Sequence, residues 1–403
     1  MHYIRLLAPP KLAKSGSKAR LDLVITINTD LSDSLLFVQE SLEIIITAEV
    51  ASSSGKTTWA LTGRGELVWK PGMRILKPSL NLPLQFIKAL AASSKTEICI
   101  SARPALSATG VQSILMDSIT SAQDETGRGL IMPVWAELRI NGHNDDHVCT
   151  RRLHLNGKNE AEFLEIEEEL GESMARHVWD GGVVTLCAVA GIPASKNYAS
   201  NQEVTMTAMR DILCAAGELN ILELGCGVGT LGIGLFSVLR HMRPAGSGGC
   251  TVLLTDLEDA EARTRCNISR LQQNAHTTGE DTAQLLYENL DWEDGREGRF
   301  GPQVQARRWD LIVLSDCTYN EDGLLSLVET LSALHASNMN KATGESSFTT
   351  KVFVGTKPRH SSENAVFGLL DQAGWKTQAK QVLPLPVLGL EAQTVEMYLF
   401  EKS

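Results

Sequence analysis

The sequence contains no paired cysteines. Its 403 residues include eight cysteines, but none of them forms a C-x-x-C pair, which is a common signature of a zinc cluster. Scattered thiols are typical of a reducing compartment, so we expect free cysteines in a protein of the cytoplasm and/or the nucleus. His143, His147 and Cys149 form an H-x-x-x-H-x-C pattern in a polar loop. Because no helix or fourth ligand accompanies them, we assign no metal.

Long apolar runs and an excess of positive charge are also missing. No apolar run approaches the roughly 20 residues that a membrane helix needs, and residues 1–20 lack the continuous apolar core of a secretory signal. The net charge is −11, which supplies no basic face for a phosphate backbone. We therefore expect neither a membrane nor a nucleic-acid partner, and we expect a monomer.

The first part of the chain is rich in short β-branched or alternating runs. Turn-forming residues separate these runs, and one apolar segment near 82–92 favours a helix. This pattern predicts a β-rich accessory domain over residues 1–155, sandwich- or barrel-like. The predicted strands are LDLVITINT (21–29), LEIIITAEV (42–50), TWALTGRGELVW (58–69), TEICISAR (96–103) and VWAELRI (134–140).

The remainder, residues 156–403, alternates strands with helices. Such alternation predicts an α/β domain whose mostly parallel sheet carries helices on both faces. Gly-rich or polar segments at 243–249, 294–303 and 338–347 are expected to be surface loops. The predicted strands are 220–225, 251–256, 284–292, 308–316, 350–357, 375–383 and 394–402, and the predicted helices are 204–217, 230–242, 258–275, 323–337 and 362–374.

Three alternating glycines follow the first of these strands, in ILELGCGVGT (221–230). In a parallel sheet, ligands bind at the carboxyl ends of strands, and glycines there let a ligand approach the backbone. A tight structural turn would use the same residues. The next strand ends at Asp256, whose carboxylate would either accept the ribose hydroxyls of a nucleoside or cap the following helix.

Five blocks carry a resemblance to a known family: VWD (178–180), LELGCGVGTLGI (222–233), LLTDLEDA (253–260), NLDW (289–292) and WDLIVLSDCTYNEDGLLSLVETL (309–331). In this order they resemble methyltransferase family 16, a group of seven-β-strand methyltransferases whose members are largely protein-lysine methyltransferases. The resemblance covers about residues 163–402. It implies a Rossmann-like seven-stranded sheet, S-adenosylmethionine as cofactor and a lysine-bearing protein as substrate.

The same resemblance implies which residues bind the cofactor. Trp179 would close over it, and Asp256 would hold its ribose. Trp292 would flank the adenine, with Ser315 beside it. The turn Gly225, Cys226 and Gly227 would approach its methionyl part. Both tryptophans have a plainer alternative as core aromatics.

The fourth strand ends in Asp316-Cys317-Thr318-Tyr319, a D-x-x-Y motif that resembles the lysine-directed members. Amide- and adenine-modifying relatives commonly carry two prolines there. A lysine amine with a pKa near 10.4 is only about one part in two thousand neutral at pH 7, and an anionic Asp316 would raise that pKa further. We therefore expect Asp316 and Tyr319 to orient the neutral amine rather than to act as a general base. Alternatively, Asp316 caps the following helix and Tyr319 packs against it.

Several charged groups near these motifs have less specific interpretations. The acidic segment EIEEELGE (165–172) is expected to be a solvated face or a docking site for a basic protein segment. Lys357 and Arg359 border the expected substrate opening, where we expect them to be solvated. Two other functions remain open on this scaffold: a small-molecule or other-residue N-methyltransferase, and a non-catalytic interaction module.

Overall fold

The computed structural model describes most of the chain. The described residues are 1–15, 18–53, 55–120, 130–139, 147–155, 163–170, 174–192, 203–243, 246–274, 283–342, 348–385, 387–388 and 393–403. They divide into two compact units, Met1–His177 with Leu385–Gln393 and Val178–Pro384 with Thr394–Ser403. The domain boundary at residue 155 stays a prediction, because a compact unit need not be a domain that folds on its own.

The first unit consists mainly of strands. These are β1 (His2–Leu6), β2 (Lys11–Ser15), β3 (Lys18–Asp22), β4 (Ile25–Thr29), β5 (Leu42–Ser52), β6 (Gly55–Ala60), β7 (Val68–Trp69), β8 (Ser79–Asn81), β9 (Lys95–Ala102), β10 (Ile131–Met132), β11 (Val134–Glu137), β12 (Val148–Leu153) and β13 (Leu164–Glu169). Two α-helices accompany them, α1 (Leu84–Ala91) and α2 (Val111–Thr120).

A largely antiparallel sheet in the order β13-β12-β11-β9-β5-β6 organises this unit, with β7 also paired to β5. Two three-stranded sheets, β10-β1-β4 and β2-β3-β8, complete it. Alternate residues of β5 are buried, because successive side chains of a strand point to opposite faces. The β-rich character predicted for this region is therefore confirmed, whereas its description as a sandwich or barrel stays a prediction.

The second unit alternates helices and strands. Its helices are α3 (Asp180–Ala190), α4 (Glu203–Leu213), α5 (Thr230–Met242), α6 (Glu258–Asn274), α7 (Trp292–Gly295), α8 (Pro302–Gln305), α9 (Leu324–Lys341) and α10 (Ala365–Gln372). Its strands are β14 (Leu219–Leu224), β15 (Cys250–Asp256), β16 (Ala283–Asn289), β17 (Leu311–Ser315), β18 (Thr350–Thr356), β19 (Lys376–Leu385) and β20 (Gln393–Lys402).

These strands form one seven-stranded sheet in the order β16-β15-β14-β17-β18-β20-β19. The pairs from β16 to β18 are parallel, and β20 runs antiparallel to β18. Leu222 and Leu224 of β14 belong to a core that includes Leu327 of α9 and Leu370 of α10. Glu223, between them in β14, accepts a hydrogen bond from the Gly232 N–H of α5. The predicted Rossmann-like, mostly parallel sheet with helices on both faces is confirmed.

Most of the predicted elements of the second unit are present, and the departures have physical reasons. Helix α3 was not predicted, because it begins D-G-G and is then apolar except for Thr185, so it shows no helical period. The acidic segment expected to be a solvated face contains β13. Two of its glutamates, Glu167 and Glu168, are buried. In the first unit, the run 21–29 splits into β3 and β4.

We predict that Gly234→Ala destabilises the protein. A Cβ at Gly234 of α5 would lie 2.6 Å from Cδ1 and 2.9 Å from Cγ of Leu186 in α3. Because the Leu186 side chain is fully buried, this overpacking should lower the free energy of unfolding by about 1–3 kcal/mol. Gly368→Ala in α10 is the matched control, because its Cβ would meet no described atom within 4 Å. That variant should gain about 0.5–1 kcal/mol. Urea unfolding measures both, and equal gains would contradict the close α3–α5 packing.

Candidate functional site

Three left-handed glycines form the turn between β14 and α5. Gly225, Gly227 and Gly229 have φ values of 66°, 54° and 86°, a region that residues with a side chain rarely adopt. At Gly225 a side chain is excluded for a second reason, since a Cβ would lie 2.6 Å from Sγ of Cys317. The turn therefore presents bare backbone at the carboxyl end of a central strand, beside the N-terminus of a helix.

Asp256 ends the neighbouring strand β15 and faces this glycine turn. Its Oδ2 accepts a hydrogen bond from the Gly227 N–H at 2.7 Å, and its Oδ1 accepts one from the Leu257 N–H at 2.7 Å. Burial raises the pKa of the Asp256 carboxyl, although these two N–H donors oppose the shift. A carboxylate can accept about four hydrogen bonds, so about two acceptor positions remain for a ligand.

Trp292 and Cys226 contribute to this turn in different ways. The half-buried Trp292 ring places Cζ2 3.3 Å from the position of a Cβ on Gly225, so the indole lies against the turn. The Cys226 thiol is buried between the turn and α6: its Sγ lies 3.6 Å from the Gly227 carbonyl oxygen and 3.9 Å from Oγ1 of Thr264. Burial raises its pKa well above the ordinary value, so the thiol is neutral.

Ser315 and Trp179 lie near the start of α3. The half-buried Ser315 ends β17, and its Oγ lies 3.2 Å from the position of a Cβ on Gly182. Trp179 immediately precedes the first residue of α3 and is half-buried. The Cζ atom of Arg359 lies 5.3 Å from the centroid of the Trp179 ring, within the range of a cation–π interaction.

Asp316 occupies a strained position directly after β17. Its φ of 51° is left-handed, and its carboxylate is almost fully buried. Oδ2 accepts the Gly181 N–H at 2.7 Å, while Oδ1 accepts the Lys357 N–H at 2.9 Å and Nη1 of Arg359 at 3.1 Å. The carboxylate therefore caps the N-terminus of α3 rather than the helix that follows it in sequence.

Sequence patterns did not identify a buried ion pair beside this carboxylate. Nζ of Lys357 lies 2.8 Å from Oδ2 of Asp180, and the two side chains are 3% and 0% exposed. The expectation that Lys357 and Arg359 are solvated is therefore wrong, since the Arg359 side chain is paired with Asp316 and is only 14% exposed. The ion pair explains the burial, because a buried ammonium is tolerated only with a partner charge. The W-D sequence at 179–180 marks Asp180 as a residue of interest, but nothing in the sequence indicates that its partner is Lys357.

Tyr319 is the most exposed member of the D-x-x-Y motif. It is 56% exposed, so its hydroxyl can reach a substrate. Partial burial, together with Cys317 and Asp256, raises the pKa of the phenol above its ordinary value. Tyr319 is therefore a neutral hydroxyl, able both to donate and to accept a hydrogen bond. The motif divides into an anchored carboxylate and an open phenol.

A second group that sequence patterns did not identify is Glu223, under the glycine turn. It is fully buried in β14, its Oε2 accepts the Gly232 N–H at 3.0 Å, and Oε1 has no hydrogen-bond partner among the described residues. Burial raises the pKa of this carboxyl well above its ordinary value, and the nearby Asp256 raises it further. Glu223 therefore holds its proton more readily in the folded protein than an exposed glutamate does.

The described residues contain no group of three potential metal ligands. His143, from the H-x-x-x-H-x-C pattern, lies outside them. All eight cysteines are described and are free thiols. No helix in the described part of the chain is both long and apolar enough to cross a membrane.

Comparison with known proteins identifies one matching family model. It is described as lysine methyltransferase and matches residues 158–373. A UPF0665 family protein of Schizosaccharomyces pombe is 27% identical over 265 residues, which cover 64% of this chain. The match spans 66% of that relative, just under two thirds of its length.

Two solved structures illustrate the similarity of the backbone. An O-methyltransferase family protein from Burkholderia thailandensis is 11% identical with a TM-score of 0.30, covering 52% of this chain and 57% of that one. Precorrin-6y C5,15-methyltransferase from Geobacter metallireducens is 13% identical with a TM-score of 0.30, covering 52% and 92%. Similarity at this level carries no information on substrate.

We predict that Glu223→Gln becomes progressively more stable than the wild type as the pH rises. The folded-state pKa of Glu223 is raised, so the wild type loses stability as the pH rises above the ordinary glutamate value of 4.5 toward the folded-state pKa. Glutamine lacks this loss, which amounts to as much as about 1.4 kcal/mol per pH unit. Urea unfolding from about pH 5 to about pH 8 measures the difference.

The matched control is the exposed Glu218. A Glu218→Gln variant should differ from the wild type by an amount that does not change with pH. A pH-independent difference for Glu223→Gln as well would show that the Glu223 carboxyl ionises normally in the folded protein.

Proposed function

Because the chain belongs to the lysine methyltransferase family, we propose that it transfers a methyl group from S-adenosylmethionine to the side-chain amine of a lysine in a protein substrate. The observation that supports this most is the meeting of three features at the carboxyl ends of β14, β15 and β17. These are the left-handed glycine turn, the Asp256 carboxylate bonded to Gly227, and the D-x-x-Y motif with its open Tyr319.

The residues at the glycine turn fit this cofactor. Bare backbone at the turn leaves room for a ligand, Asp256 retains acceptor positions for ribose hydroxyls, and the Trp292 ring offers an apolar surface beside them. We propose that the cofactor is held by Trp179, Gly225, Cys226, Gly227, Asp256, Trp292 and Ser315. Of these, Cys226 would contribute through its backbone, since its thiol is buried against Gly227 and Thr264.

When bound, S-adenosylmethionine supplies the methyl carbon: a C–N bond to the amine nitrogen forms as the C–S bond breaks, and sulfur keeps the electron pair. The contribution of the protein is alignment of the amine. We propose that Tyr319 accepts a hydrogen bond from the amine, and that Asp316 accepts another at the one acceptor position its three protein donors leave open. The amine would lose its ammonium proton to water before transfer.

We also propose a class of substrate and a cellular location. The substrate would be a protein in the cytoplasm and/or the nucleus, and the enzyme would act as a monomer without a nucleic-acid partner. Incubating the protein with cell extract and labelled cofactor, then mapping the modified peptides, tests the substrate class directly. Label on a small amine metabolite, with none on protein, would instead support the small-molecule alternative.

We predict that Asp256→Ala weakens S-adenosylmethionine binding about 10–100-fold, because hydrogen bonds to a charged group contribute about 1.5–3 kcal/mol. Calorimetric titration measures the dissociation constant. The exposed Glu258, two residues further on, provides the control variant Glu258→Ala, which should bind as the wild type does. Equal affinity of the two variants would remove Asp256 from the cofactor site.

We predict that Tyr319→Phe lowers kcat about 10–100-fold while the dissociation constant of the cofactor stays unchanged. The substitution removes only the exposed hydroxyl, so the lone pair of the amine is aligned less well. Single-turnover methylation of the mapped substrate gives the rate, and calorimetry gives the affinity. A wild-type rate for Tyr319→Phe would mean that the hydroxyl does not contact the amine.

A further inference from the structure

Two ion pairs lie at the start of α3. Lys357 is paired with Asp180 at 2.8 Å, and Arg359 is paired with Asp316 at 3.1 Å. Within each pair the positive charge cancels the negative one. Both cations come from the segment that follows β18, and all four side chains are largely buried.

This pairing bears on the ionisation of the substrate. An uncompensated carboxylate next to a lysine side chain stabilises the ammonium form, which has no lone pair to give. The guanidinium of Arg359 is always charged and donates to Oδ1 of Asp316, the oxygen that also accepts the Lys357 N–H. It therefore compensates the negative charge of this carboxylate. We propose that Arg359 cancels the charge of Asp316, so that the site accepts the lysine amine in its neutral form.

The inference rests on the proposed function and makes Arg359 a positioning residue that acts through Asp316. The neighbouring titratable groups among the described residues are engaged differently. Cys317 and Tyr319 have raised pKa values and are neutral. Glu363 accepts the backbone N–H groups of Arg359 and His360, and Nδ1 of His360 is bonded to Ser362.

The first test uses two ligands that differ by one charge. S-adenosylmethionine carries a sulfonium cation, whereas S-adenosylhomocysteine is the neutral thioether, so the ratio of their dissociation constants reports local charge. Any loss of contact between Arg359 and Trp179 affects both ligands alike and cancels in the ratio. Calorimetry on the full chain gives both constants without a protein substrate.

In Arg359→Gln the preference for the cationic ligand should rise about fivefold or more, because Asp316 is then uncompensated. Arg359→Lys should keep the wild-type ratio. So should Arg299→Gln, which makes the same charge change at a site that is 56% exposed. Asp316→Asn leaves Arg359 unpaired and should shift the ratio in the opposite direction. An unchanged ratio in Arg359→Gln and in Asp316→Asn would overturn the proposal.

The second test is the pH dependence of kcat on the lysine substrate, because kcat reports groups that titrate in the enzyme–substrate complex. The rate rises with pH as the amine loses its proton, and Arg359→Gln should move this rise upward by about one pH unit or more. Arg359→Lys should restore the wild-type profile. A structural defect would instead lower kcat by the same factor at every pH, which would count against charge compensation.

The two tests separate the inference from the proposed function. A wild type that binds the cofactor but methylates no protein lysine would contradict the proposed function. The ratio of dissociation constants would then still decide whether Arg359 compensates Asp316.

Discussion

The carboxylate of Asp316 holds the first turn of α3 against the ends of β17 and β18. It accepts the Gly181 N–H, the Lys357 N–H and the Arg359 guanidinium, and these three donors hold the residue in a left-handed conformation that costs about 1–3 kcal/mol. The contact also dictates the sequence of α3, because a Cβ at Gly181 would lie 2.5 Å from the carboxylate atoms. Glycine near the start of this helix therefore reflects a close approach of a carboxylate.

The same constraint links the two sides of the proposed site. Trp179, which immediately precedes α3, contacts Arg359, and Arg359 in turn bonds the carboxylate of the D-x-x-Y motif. The helix itself lies close to α5 and to β18, where Gly234 and Gly355 leave space for Leu186 and Thr185. A displacement of α3 would therefore alter the aromatic residue proposed for the cofactor and the carboxylate proposed for the amine together.

Sequence patterns predicted the features of the structure that depend on residues close together in the chain. The glycine turn, the acid at the end of β15 and the strand–helix alternation all follow from residues adjacent in sequence, and the structure contains them. The Lys357–Asp180 pair joins residues 177 positions apart, so no periodicity or spacing could predict it. Strand β13 could not be predicted for a related reason. Its glutamates look like a solvated acidic run in the sequence, but in the structure Glu168 and Glu165 pair with Arg151 and Arg152 of β12.

Three acids near the carboxyl ends of the central strands look alike in the sequence, yet the structure gives them different electrostatic characters. The pKa of Glu223 is raised, because the carboxyl is buried and accepts a single N–H among the described residues. Asp316 has its charge matched by a guanidinium. Asp256, with two N–H donors and open acceptor positions, is the one of the three suited to accept neutral hydroxyls. The net charge of −11 therefore says little about the field at this end of the sheet, where a raised pKa and an ion pair weaken two of the three negative charges.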